Sequence, residues 1–147
     1  MNPSKTNEKK ILLLRFWALL LFVFVFFKIQ SQSLKSLLKN ADRCMVEHDY
    51  FAASQYYNKA LLLDSLNMDT QWKYAESCRL NYDLDDAKHW YDKILKVDNL
   101  KNYPLAPYRI GIILQFKGNY KEAKKYFDKY ARKFKTSKDA ELKKLAA

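Results

Sequence analysis

In 147 residues the chain has two glycines, three prolines, two cysteines and two histidines. With so few breakers, long stretches run uninterrupted. Gly111 and Gly118 alone cannot build a glycine-rich phosphate loop. A zinc site needs about four nitrogen or sulfur ligands, or about three plus water. His48, His89, Cys44 and Cys78 are scattered over different helix faces, so no metal and no cofactor is expected. Neither histidine has a nucleophile at a diagnostic spacing, and carboxylate pairs such as Asp85-Asp86 read as helix-starting residues, not as a general acid and base. Catalysis and a small-molecule substrate are therefore not expected. No stretch alternates apolar and polar residues long enough for a sheet, which leaves an all-α chain. Nucleic acid is excluded as a partner despite the net charge of +11, because no zinc-knuckle spacing, RNA-recognition signature or arginine-rich segment accompanies that charge.

What the chain does contain is repetition. Tyr50, Ala53, Tyr57, Lys59 and Ala60 are answered 34 residues later by Leu84, Ala87, Tyr91, Lys93 and Ile94. After a slip of two they are answered again by Tyr120, Ala123, Phe127, Lys129 and Tyr130. Upstream, Ala41, Ala75 and Gly111, and likewise Cys44, Cys78 and Leu114, obey the same steps of 34 and 36. Such a period marks a helix-turn-helix solenoid, in which stacked units share one continuous core. The boundaries fall at 34–67, 68–101 and 104–137, with Asn102-Tyr103 inserted and 138–147 as a partial further helix.

Apolar spacing places Leu61, Leu62, Leu63 and Leu66 on one side of a helix, and Ile110, Ile113, Leu114 and Phe116 on one side of another. Asp83 with Asp86, Asn119 with Glu122, and Thr136 with Asp139 each read as an N-cap with an acidic residue three places on.

The signature Gly118-Asn119-Tyr120-Lys121-Glu122-Ala123 with Tyr126-Phe127, echoed at His48 to Ala53 and Tyr82 to Ala87, resembles the tetratricopeptide repeat. Ser65 and Asn99 stand where that family has proline, and Trp72 lies one place beyond its tryptophan position. The resemblance implies a concave groove lined by the first helix of each unit, which binds a protein or peptide. Transferred residue by residue, the groove holds Leu38, Trp72 and Tyr108 at one place, Lys39, Lys73 and Arg109 at the next, and Asp42, Glu76 and Ile112 three beyond. Cations beside aromatic faces suit an acidic or extended peptide. The alternative is that Lys39 with Asp42, and Lys73 with Glu76, merely pair along their own helices. Leu38 and Asp42 replace the lysine and asparagine of the family's chaperone-tail clamp, which disfavours that ligand.

The first 33 residues are of another kind. Lys5, Lys9, Lys10 and Arg15 precede an uncharged run from Phe16 to Phe27, and Ser31-Gln32-Ser33 supplies a small-x-small site, the order of a secretory signal peptide. The rival is an uncleaved membrane anchor, since Ile11 to Phe27 is at the lower limit for spanning a bilayer. Both put the repeats outside the cytoplasm, in the periplasm or associated with the cell envelope. Export would place Cys44 and Cys78 in an oxidising compartment, and buried free thiols are favoured over a bridge between neighbouring units.

From Pro104 onward there are twelve basic and four acidic residues. Lys121, Lys124, Lys125, Lys129, Arg132 and Lys133 lie mostly on one helix opposite Tyr126, Phe127, Tyr130 and Phe134. This basic face is either a solvated surface or a dock for anionic membrane or cell-wall polymer. The leader, the Tyr103-Pro104-Leu105-Ala106 run and the tail Ser137 to Glu141 are similar to the N-terminal repeat segment of Bacteroidota OmpA-family, PorE-like envelope proteins. That resemblance implies a noncatalytic scaffold in type IX secretion, gliding or OmpA-linked assembly, or an accessory subunit of an envelope enzyme, and it implies that the chain is a fragment of a longer protein.

Overall fold

The computed structural model describes residues 14–21, 34–98 and 100–146, and every regular element among them is helical. The chain divides into two units, Met1–Ser36 and Leu37–Ala147. In the first, residues 14–21 are helical. The rest of the leader, with the expected cleavage site, lies outside the described residues, as does Asn99. No helix among the described residues is long and apolar enough to cross a membrane.

Residues 34–46 (α1) are followed by α2 (Tyr50–Leu63), α3 (Met68–Leu80), α4 (Leu84–Asp98), α5 (Ala106–Phe116), α6 (Tyr120–Phe134) and α7 (Ala140–Ala146). From α2 onward each helix packs on the next in the chain. One cluster runs from Ala41 and Cys44 through Ala53, Tyr57, Ala75, Cys78, Ala87 and Tyr91 to Ile110, Leu114 and Ala123. A second joins Leu100, Tyr130, Phe134 and Ala146. Cys44 and Cys78 are buried free thiols.

Three turns are built alike. His48, Tyr82 and Gly118 have φ of 61°, 63° and 76°. Their N–H groups donate to the carbonyls of Met45, Arg79 and Gln115, while those of Asp49, Asp83 and Asn119 reach back to Cys44, Cys78 and Leu114. This paired closure about one left-handed residue satisfies carbonyls that the preceding helix leaves open. The next residue then starts the following helix. Asp49 accepts from the Ala52 N–H at 3.0 Å and Asn119 from that of Glu122 at 3.3 Å. Asn67 caps α3 through the Thr70 N–H, and Pro107 sits in the first turn of α5, where a missing N–H costs nothing.

Three sequence expectations need correction. Of the leucine run only Leu61 is buried, whereas Leu62 is 80% and Leu66 85% exposed. Leu61 follows Tyr57 by one turn and shares its face, Leu62 is rotated about 100° away, and Leu66 lies in the loop beyond the helix. Phe116 is likewise exposed, at 70%, although Ile110, Ile113 and Leu114 are buried. The cap of α7 is Asp139, which accepts from the Glu141 and Leu142 N–H groups, not Thr136.

Candidate functional site

Helices α1, α3 and α5 carry the residues transferred to the groove, and two polar rungs tie these helices together. In the first, Tyr57 of α2 donates to Asp42 of α1 at 2.6 Å, and Lys73 of α3 reaches the same carboxylate oxygen at 3.1 Å. In the second, Tyr91 of α4 donates to Glu76 of α3, and Arg109 of α5 brings its Nε to 3.0 Å from that carboxylate. Each member of the second rung lies 34 or 36 residues after its counterpart in the first. At the third occurrence Phe127 and Ile112 stand in place of tyrosine and acid, so the rung ends.

The pairing along single helices weighed as the alternative for Lys39 with Asp42 and Lys73 with Glu76 does not occur. Lys73 instead bridges Asp42 and Asp69, and Lys39 is exposed with no carboxylate in ion-pair range among the described residues. Burial alone would lower the Lys73 pKa, but the two carboxylates outweigh it and hold the amine above its ordinary value. Burial, together with the bond to Asp42, pushes the Tyr57 hydroxyl up, and burial with the Glu76 charge does the same for Tyr91. Both tyrosines therefore stay protonated and donate.

The aromatic residues at the neighbouring place are half-buried against other aromatic rings. Trp72 meets Tyr91 edge-on at 5.2 Å and stacks on Tyr103 at 5.4 Å, and Tyr108 lies 5.7 Å from Phe127 and 5.5 Å from Tyr130. Leu38 packs partly into the core. Tyr103 belongs to a loop organised by Asp98, whose carboxylate accepts from the N–H groups of Asn102 and Tyr103 at 2.8 and 2.9 Å. Burial raises the Asp98 pKa, but those backbone donors prevail and hold it below the usual carboxylate range.

Arg79 was not anticipated from the sequence. It donates to Glu76 at 2.7 Å, so two guanidinium groups and one phenol converge on a single carboxylate. The Nε atoms of Arg79 and Arg109 are buried without a hydrogen-bond partner. That of Arg109 is close enough to Glu76 for ion pairing but not aligned for a bond. The signal was its spacing, three residues past Glu76 on the same helix. Beside Arg79 lies a small pocket of about 170 Å³ lined by Leu80, Tyr82, Leu84, Ile112, Ile113 and Phe116.

On another face, Lys121, Lys124, Lys125, Lys129, Arg132 and Lys133 are all exposed along α6. Lys124 pairs with Asp128 at 3.0 Å. Lys121, Lys125 and Lys129 line an open cleft with Lys96, Leu95 and Tyr126, whose hydroxyl donates to Asp92 of α4. Cys78, Asp83 and Asp86 are the one group of possible metal ligands among the described residues, all within 4.8 Å. Burial pushes the Cys78 thiol up to about 12, which keeps it protonated and a poor ligand. His48 sits exposed in its turn and bonds Tyr50 at 2.7 Å, while His89 is exposed on α4.

Compared with known protein families and with curated proteins, the chain matches none.

Proposed function

We propose that residues 34–147 form a noncatalytic scaffold of three tetratricopeptide-type hairpins, 34–67, 68–101 and 104–137. It acts in the cell envelope behind an export signal or anchor at 1–33, in an assembly of the type IX secretion, gliding or OmpA-linked kind. Its groove holds an extended protein segment. The observation that carries the binding role is the pair of rungs, Asp42 with Lys73 and Glu76 with Arg109. They tie α1 to α3 and α3 to α5 by ion pairs, beside the half-buried Trp72 and Tyr108. The recurrent turns at His48, Tyr82 and Gly118 support the repeat. The envelope role rests on the sequence resemblance.

Affinity capture from native membranes with the whole chain, set beside a Lys39→Ala, Lys73→Ala, Arg109→Ala triple variant, tests the groove. Loss of the same interactors in the variant is expected, and an unchanged set refutes groove binding.

A second reading is favoured by the lysine-lined cleft between α4 and α6, which suits anionic lipid or cell-wall polymer. Vesicle binding that disappears with moderate salt and on changing Lys121, Lys124, Lys125 and Lys129 to Glu would establish it over the groove.

A further inference from the structure

Resting on the groove reading, we propose that the space between α3 and α5 is a two-part subsite for an extended peptide. It takes an apolar side chain in the pocket of Leu80, Tyr82, Ile112 and Phe116, and a neighbouring acidic side chain on Arg79. Three observations converge there. The pocket is about 170 Å³, the size for one side chain rather than a cofactor, and its rim carries apolar residues that gain nothing from water. Phe116 is 70% and Tyr82 76% exposed, with their ring centroids 6.2 Å apart, and both line the pocket.

The second observation is charge. Glu76 is the one carboxylate within ion-pair range of Arg79 and Arg109 among the described residues, so the cluster keeps one uncompensated positive charge. Burial would lower the pKa of Arg79, but Glu76 overrides it and the guanidinium stays charged. The side chains of Arg79 and Arg109 remain 20% and 29% exposed. A second carboxylate complements that excess, and arginine suits it because its planar fork binds both oxygens.

Third, Arg79 lines the pocket itself, so the charge and the apolar hole are adjacent. The acid belongs inside a chain rather than at its end. Beyond Glu76 the surface continues along α3 to Lys73 and its partner Asp42 on α1, a path that a peptide ending at Arg79 would leave uncovered.

The test uses the whole chain, labelled with nitrogen-15, and a capped synthetic glycine-serine peptide carrying one Phe-Gly-Glu segment, since alternate side chains of an extended chain share a face. Saturable binding that shifts the Arg79 Nε–H resonance is expected. Changing the peptide's Phe to Ser or its Glu to Gln should weaken binding about tenfold each. Ile112→Glu and Arg79→Gln should weaken it similarly with helix content unchanged. Ile112 and Phe116 reach solvent, so Phe116→Ser gives a second variant that spares the core.

The subsite is overturned if the peptide binds no better than glycine-serine alone, or binds Arg79→Gln and Ile112→Glu as well as the parent. A peptide ending in Phe with a free carboxylate that binds more tightly would reassign the anion to a chain end and also overturn it. Membrane capture separates the two levels. Failure of the peptide with capture still lost in the Lys39, Lys73, Arg109 variant removes only the subsite, whereas capture unchanged removes the groove as well.

Discussion

The Tyr57 hydroxyl donates to the Asp42 carboxylate at 2.6 Å, and the same bond recurs 34 residues on between Tyr91 and Glu76. In both places the acid also takes a cation from the next first helix, so one carboxylate joins a hairpin internally and ties it to its neighbour.

The two rungs should differ in weight. Asp42 and Lys73 are 51% and 37% exposed, so Asp42→Asn should cost less than about 1 kcal/mol. Glu76 is 15% exposed and holds two guanidinium groups, so Glu76→Gln should cost about 2 kcal/mol or more by leaving them unopposed. Urea unfolding of both variants checks the order.

Both glycines should resist alanine, for different reasons. Gly118 is left-handed at φ 76° with open space where a Cβ would lie, so Gly118→Ala should cost about 1 kcal/mol through the backbone alone. At Gly111 a Cβ would lie 2.5 Å from the Phe127 ring, so Gly111→Ala should cost about 1–3 kcal/mol by overpacking. Phe127→Leu should recover part of the second loss and none of the first. Thermal unfolding of the single and double variants separates the two causes.

Stability should fall in alkali. Burial pushes the Cys78 thiol up to about 12, and burial with the Asp92 charge takes Tyr126 up to about 12. Tyr57, Tyr74 and Tyr91 are raised too, each mainly by burial. The folded state thus holds these protons more tightly than the unfolded chain, whose thiols titrate near about 8.5 and phenols near about 10. Their contribution is complete below those values and is lost as pH climbs toward and beyond about 12. Denaturant midpoints measured against pH should decline over that window, and Cys78 should resist thiol reagents until the chain unfolds.

The Asp98 loop should be sensitive to one atom pair. Asp98→Ala frees the N–H groups of Asn102 and Tyr103 and should cost about 1–3 kcal/mol. It should also loosen Tyr103 from Trp72, visible as a change in tryptophan fluorescence.

The helices were legible because they follow short rules. Small residues at Ala41, Ala75 and Gly111 recur at steps of 34 and 36, and Gly118 marks its own turn. The reversals at His48 and Tyr82 were placed only by their echo of the Gly118 signature, since a left-handed histidine or tyrosine carries no local turn signal. The rungs were not legible, since Asp42 to Lys73 spans 31 residues and no spacing rule within one helix predicts it. Arg79 escaped for another reason: its spacing to Glu76 was visible within one helix, but the excess charge it creates depends on Arg109 arriving from α5. The leucine run misled because the consecutive Leu61, Leu62 and Leu63 wrap around the helix instead of marking one side, and Leu66 lies beyond its end. Thr136 yielded to Asp139 because α7 begins later than the tail's composition implied.

Hydrogen exchange of the whole chain, alone and with a protein captured through it, separates groove from basic face most directly. Binding in the groove should slow exchange in α1, α3 and α5 and leave the exposed side of α6 unchanged. Protection concentrated between Lys121 and Lys133, with α3 and α5 unaffected, would contradict it.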